Sequence, residues 1–215
     1  MENKKVIEIL NLSKEIKGIK VLNNINLNIE SGKAYGIIGR NGSGKSMLFK
    51  AICGLINSTE GEIKVFDELI KDGKFPKSTG IIIENPGFLP QYSAYKNLKI
   101  LASINNVISD EKIKDVIASV GLDANDRKPI KKFSLGMKQR LGIAQALMEE
   151  PKLLILDEPM NGLDAEGVKL VRKILLGLKA KSVTILLASH NGDDINELCD
   201  YVYKMESGQL SRMLP

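Results

Sequence analysis

Tryptophan is absent from this 215-residue chain, aromatic residues make up only 5% of it, and it holds two cysteines and one histidine. So few rings, with no interleaving of basic and aromatic residues, argue against a stacking platform for single-stranded nucleic acid. Cys53 (in AICGL) and Cys199 (in NELCDY) have no second cysteine or histidine at metal-ligand spacing. They read as buried, reduced thiols, which fits a cytoplasmic protein. Long hydrophobic runs are missing too: the longest aliphatic runs, residues 153 to 156 and 185 to 188, are four residues each, against about 20 for a bilayer span. The opening MENKKVIEIL has no apolar signal-peptide core, so nothing is expected to direct the chain outside. There is no internal repeat and no low-complexity linker.

Charge is spread rather than concentrated. The chain carries 31 basic and 26 acidic residues, a net +5. Residues 1 to 150 hold 23 basic and 17 acidic groups (+6), the remainder 8 and 9 (−1), and no basic run exceeds two residues. Diffuse lysine on solvated faces accounts for this, and no nucleic-acid partner is expected. At 43% hydrophobic and 27% charged, the composition is that of an ordinary globular protein. At about 150 residues per domain, the length suggests one composite domain. A chain of this size buries about 70% of its unfolded surface without disulfides or metals.

VIEIL (6 to 10) and VLNNINLNI (21 to 29) alternate with period two and predict strands in an antiparallel layer, followed by a turn at Ser31-Gly32. AYGIIG predicts a short buried strand, and the spacing of Met47, Leu48, Ala51, Ile52 and Leu55 a helix ending near Gly54. EIKVF (62 to 66) and TGIIIE (79 to 84) read as strands, broken by Pro86 and Pro90. Residues from about 93 to 150 read mostly helical, an inserted lobe with stops at Gly121, Pro129 and Pro151. KLLILDEP, AEGVKLVRKILLGLKAK, VTILLASH and YVYKM then alternate strand and helix. The expected class is α/β: a mostly parallel sheet covered on both faces, with the antiparallel layer and the helical lobe added.

Gly39-Arg40-Asn41-Gly42-Ser43-Gly44-Lys45-Ser46 fits the phosphate-loop pattern G-x-x-x-x-G-K-[ST] between the expected strand and helix, with Met47 just inside that helix. Glycines at Gly39, Gly42 and Gly44 let successive N–H groups of Asn41, Ser43 and their neighbours turn inward, and the helix N-terminus adds about half a positive charge. Lys45 is placed for the β and γ phosphates and Ser46 for Mg²⁺. LLILDEP sets Asp157 and Glu158 at the carboxyl end of a strand, where open parallel sheets present ligand sites. There Asp157 can reach the Mg²⁺ and Glu158 can orient or deprotonate a water. His190 ends the next apolar strand and falls along the same edge, as a γ-phosphate contact. Ser134 reads as the N-cap of the helix ending before Pro151, with Gly136 allowing close backbone approach, a second anion site.

Taken in order, these motifs resemble the ATP-binding subunit of ABC transporters over essentially all 215 residues. They are a Walker A loop (39 to 46), a loop in the usual glutamine position, a signature (133 to 137), Walker B (153 to 158), the D-loop Asn161-Gly162-Leu163-Asp164 and the switch His190. The resemblance implies a P-loop NTPase fold in a single domain, with residues 1 to 86 and 151 to 215 as catalytic core and about 87 to 150 as helical subdomain. It implies ATP and Mg²⁺ as ligands, and two identical or different subunits facing head to tail. Ser134, Leu135, Gly136 and Met137 would then meet the partner's ATP, Glu158 would act as base, and Asp164 would couple the sites. A separate permease chain would hold the subunit at the inner face of the cell membrane. The other function class considered is a soluble ABC-type ATPase acting on DNA, ribosomes or iron–sulfur assembly. Against it, the chain has neither tandem domains nor long coiled coils. A regulator that has lost hydrolysis is opposed by the intact Lys45, Asp157, Glu158 and His190.

Three departures narrow the resemblance. Glu84 stands where the family has glutamine, as a stronger Mg²⁺ ligand that also brings negative charge. The signature reads F-S-L-G-M in place of L-S-G-G-Q. Together these are similar to bacitracin-type and lantibiotic-immunity exporters, implying export of a peptide antibiotic or amphipathic substrate. Counting back from Val21, the adenine-stacking place falls on Ile16, which offers apolar contact without a ring face. GTP should therefore compete with ATP, with equilibrium affinities agreeing within about tenfold, or about 1.4 kcal/mol.

Overall fold

The computed structural model describes residues 4 to 84 and 86 to 213; Asn85, inside the expected glutamine-position loop, lies outside them. The alternation near the start becomes a hairpin of β1 (Lys5–Ile16) and β2 (Ile19–Glu30), turned by Lys17 and Gly18, both at positive φ. Two positive-φ residues suit the right-handed twist of the flanking strands. β3 (Ala34–Ile38) leads into α1 (Lys45–Ile52), followed by β4 (Glu60–Val65), β5 (Glu68–Leu69) and β6 (Thr79–Ile82). Helices α2 (Ala94–Asn105), α3 (Asp110–Ser119) and α4 (Leu135–Leu147) come next, with a 3-10 turn at Ile130–Lys132 before α4. The chain continues through β7 (Leu153–Asp157), α5 (Ala165–Ala180), β8 (Thr184–Ala188), α6 (Gly192–Leu198), β9 (Tyr201–Glu206) and β10 (Gln209–Arg212).

One sheet has the order β2-β1-β4-β5 and is antiparallel; the other has the order β10-β9-β3-β8-β7-β6, parallel except at β10. This is the α/β class that the sequence predicts. Every residue of β7 and β8 is buried, because helices or the β layer cover both sheet faces. Period-two alternation then divides the core. Leu154, Leu156, Ile185 and Leu187 join the cluster of α2 to α6, whereas Leu153, Ile155, Leu186 and Ala188 join Phe49 of α1 and the antiparallel layer.

Local chemistry sets the helix ends. The side chains of Ser93, Ser109, Ser134 and Asp164 each accept a backbone N–H at the starts of α2, α3, α4 and α5. α1 ends where Gly54 turns left-handed, with Leu55 N–H on Lys50 C=O at 2.9 Å and Gly54 N–H on Ala51 C=O at 3.0 Å. Asn97, 3% exposed, pins the loop before α2, accepting from Leu89 N–H at 2.7 Å and donating to the carbonyls of Leu89, Tyr92 and Ser93.

Some expectations shift. The strand expected over 79 to 84 stops at Ile82, since Glu84 is left-handed (φ 61) and cannot continue a ladder. Besides α3 and α5, α4 packs against β6. α6 and β10, seven and four residues long, are too short for their periodicity to have stood out. Burial pushes the thiols of Cys53 and Cys199 up to about 12 from 9.0. Since thiolate is the reactive form, both thiols in the native protein at pH 8 should react with a disulfide reagent at least about tenfold more slowly than in the urea-unfolded chain.

Candidate active site at the carboxyl edge of the parallel sheet

The loop between β3 and α1 is shaped by Gly44, whose φ of 115° and whose backbone, where an added Cβ would lie 2.9 Å from Val21 C=O, leave no room for a side chain. Lys45 is 6% exposed and its ammonium folds over the loop, donating to Gly39 C=O at 2.8 Å and Arg40 C=O at 3.3 Å. The β9–β10 turn braces the same loop: Gly208 N–H donates to Ser43 C=O at 2.9 Å, and Asn23 N–H to Gly208 C=O at 2.8 Å. Among the described residues, Ser43 Oγ and Glu158 Oε1 are buried without a hydrogen-bond partner. Buried polar atoms in that state point to a partner supplied from outside the chain.

β7 and β8 bring the acids to this loop. Ser46 Oγ hydrogen-bonds Asp157 Oδ2 across 111 positions of sequence. Glu158 is left-handed (φ 49); its N–H donates to Ala188 C=O at 2.9 Å, and its Oε2 lies 2.8 Å from His190 Nδ1. The His190 side chain is 66% exposed against 19% for Glu158, so the pair spans from wall to opening. Glu84 Oε1 meets Lys50 Nζ of α1 at 2.5 Å.

A cleft of about 760 Å³ is lined by Val21, Asn41, Gly42, Gly44, Lys45, Ser46, Met47, Glu84, Asp157 and Glu158. These ten of the expected site residues are thus brought together by the fold. Gly39 and Ser43 belong to the loop without lining the cleft, and His190 reaches it only through Glu158. Ser134, Leu135, Gly136 and Met137 sit at the start of α4, outside the lining. Asp164 Oδ1 accepts from Gly167 N–H at 2.8 Å as the cap of α5.

Ile16 requires a correction. It pairs with Ile19 across the Lys17-Gly18 turn and does not line the cleft; Ile19 and Lys20 of β2 do. Counting back from Val21 crosses the turn into the wrong strand. Ile19 is again aliphatic, and no aromatic residue among the described ones lines the cleft. Sequence reasoning also missed Gln139, Asn161, Ser207 and Gly208 in the lining. Asn161 was within reach as part of the D-loop motif, but nothing in the local pattern marks the others.

A phosphate loop after a central parallel strand, with two carboxylates at the end of a nearby strand, defines a P-loop nucleotide-binding protein. The ABC transporter family matches residues 22 to 161, and the chain belongs to that family, as an ATP-binding, ATP-hydrolysing subunit. It is 52% identical over 206 residues to an uncharacterized ABC transporter ATP-binding protein of Bacillus subtilis (strain 168), YybJ, covering 95% of this chain and 94% of that one. It is 40% identical over 213 residues to the bacitracin transport ATP-binding protein BcrA of Bacillus licheniformis, covering 98% of this chain and 70% of that one. The lantibiotic transport ATP-binding protein SrtF of Streptococcus pyogenes is 40% identical over 205 residues, covering 95% of this chain and 89% of its own. Among solved structures, an ATP-binding subunit of an ABC transporter superposes with a TM-score of 0.88 at 26% identity, over 97% of this chain and 89% of that one.

Because Asp164 caps α5, Asp164→Ala should lower unfolding free energy by about 1 kcal/mol, whatever else the residue does. Urea titration measures this.

Proposed function

We propose that this ATPase works as a dimer with Mg²⁺ and powers export of a peptide antibiotic or similarly amphipathic substrate through a separate permease chain. The carrying observation is the pair of contacts on the sheet edge, Ser46 with Asp157 and Glu158 with His190. Ser46 and Asp157 are the residues that would hold Mg²⁺, whose charge offsets that of the phosphates. Lys45, which donates to the carbonyls of Gly39 and Arg40, is the cation that would turn to the phosphates. Glu158 Oε1, buried without a partner among the described residues, is free to accept a proton from an attacking water, while His190 orients the other oxygen. Glu84 differs from a neutral amide in that position by its charge, and Lys50 counters it.

Dimerisation is supported by where the signature lies. Ser134 and Gly136 open α4 outside the chain's own cleft, so their helix N-terminus is available to a nucleotide held by another subunit. A triphosphate carries about three to four negative charges and is best neutralised from both sides. Cleavage then weakens the attraction between the halves.

For export, the support is Glu84 together with the F-S-L-G-M signature, and the transport named for BcrA and SrtF. No helix of the described residues is long and apolar enough to cross a membrane, so a permease must supply the path. The subunit would lie at the cytoplasmic face. Its core would be residues 1 to 86 and 151 to 215, and its helical subdomain, about 87 to 150, would offer the exposed Leu89 and Tyr92 to the permease. Glu158→Gln should keep ATP affinity, lose about 100-fold or more in turnover, and sediment as a dimer with ATP and Mg²⁺. Persistent monomers at high concentration, even with the permease present, would overturn the reading.

A further inference from the structure

The loop following β7 holds Glu158 in a left-handed conformation that residues with a side chain rarely adopt. Such a backbone persists only where its surroundings over-determine it. Part of that support is local: Glu158 N–H on Ala188 C=O at 2.9 Å, and Asn161 N–H on Glu158 C=O at 3.1 Å. The rest comes from another element. Gln139, on α4 and only 6% exposed, donates Nε2–H to Pro159 C=O at 3.0 Å, with a longer contact to Glu158 C=O at 3.5 Å.

The first turn of α4 is also seated on the D-loop of its own chain. An added Cβ on Gly136 would come 2.9 Å from Gly162 C=O, and one on Gly162 (φ 77) would come 2.6 Å from Leu135. At that spacing the signature turn and Gly162 lie in close backbone contact. Gln139 closes the same contact from further along the helix.

We propose that Gln139 is a positioning residue for the hydrolytic reaction: its amide locks the carbonyl side of the Glu158 loop to the signature helix, so that the carboxylate is aimed only when that helix is in place. This rests on the reading of Glu158 as the base and of α4 as the partner-facing helix. The signature of one subunit, meeting the partner's triphosphate, thereby sets the geometry of its own subunit's Glu158. An amide is required for this. Glutamate of the same size would set a carboxylate against two carbonyl oxygens, and methionine would fill the space without donating.

The test is steady-state hydrolysis by the full chain, with nucleotide affinity and melting temperature measured alongside. Gln139→Glu and Gln139→Met should each lower kcat at least about tenfold, while KM and the affinity for a fluorescent ATP analogue stay near those of the unaltered chain and the melting temperature falls by a few degrees for the lost buried hydrogen bond. Added to Glu158→Gln, either change should lower the residual turnover no further, because it acts through the absent carboxylate. A kcat within twofold of the unaltered chain for either variant overturns the proposal, and so does a loss of nucleotide affinity as large as the loss of kcat. If Gln139→Glu does not fold, Gln139→Met decides alone. The single Glu158→Gln variant separates the two claims: if it turns over normally, the base assignment falls and this inference with it, whereas if it is inactive and the Gln139 variants are normal, only this inference falls.

Discussion

The hydrogen bond from Ser46 to Asp157 is the point on which the site depends, because it joins the start of α1 to the end of β7. It can form only if β3, β8 and β7 lie side by side and in register, as the parallel pairings of Ala34 with Ile185 and Leu153 with Thr184 place them. Parallel neighbours end on the same edge. Three segments far apart in the chain, the loop after β3, the acids after β7 and the histidine after β8, therefore converge without any of them specifying the others. Burial of every β7 and β8 side chain makes that register costly to slip, since a one-residue shift would exchange the two core faces.

Polar side chains around the cleft already hold partners within the chain. Lys45 rests on carbonyls, Lys50 on Glu84, and His190 on Glu158, so each group that a triphosphate or a cation would engage already has a modest partner to exchange. Preorganisation of this kind limits the reorganisation needed when a highly charged ligand arrives. The loop itself is stiffened from behind by the β9–β10 turn through Gly208 and Ser43, which ties the antiparallel layer to the phosphate loop. Glu158, like Glu84, is left-handed at this sheet edge, and the contacts of α4 show how a fold holds such a residue from outside its own loop.

The contiguous motifs were readable because their chemistry is local. Eight successive residues make the phosphate loop, a strand's end makes Asp157 and Glu158 neighbours, and serine or aspartate before a helix makes a cap. Ile16 was misplaced because a two-residue turn separates it from Ile19, and a count along the chain takes no account of the reversal. Lys50 and Gln139 left no trace in the pattern, for each looks like an ordinary polar helix residue until its helix is packed against Glu84 or Pro159. Asp164 shows the converse: a residue picked out by its motif has its side chain engaged in capping α5.

By itself the sequence determined the class of fold, the loop that cradles phosphate and the acids that face it, because periodicity and short-range spacing are properties of the chain alone. Only the tertiary structure decided which β2 residues line the cleft, that Glu84 is countered by Lys50, that the signature lies outside its own cleft, and that Gln139 braces the Glu158 loop. Those facts depend on the relative placement of elements dozens of residues apart, and packing geometry, which no local pattern encodes, sets that placement.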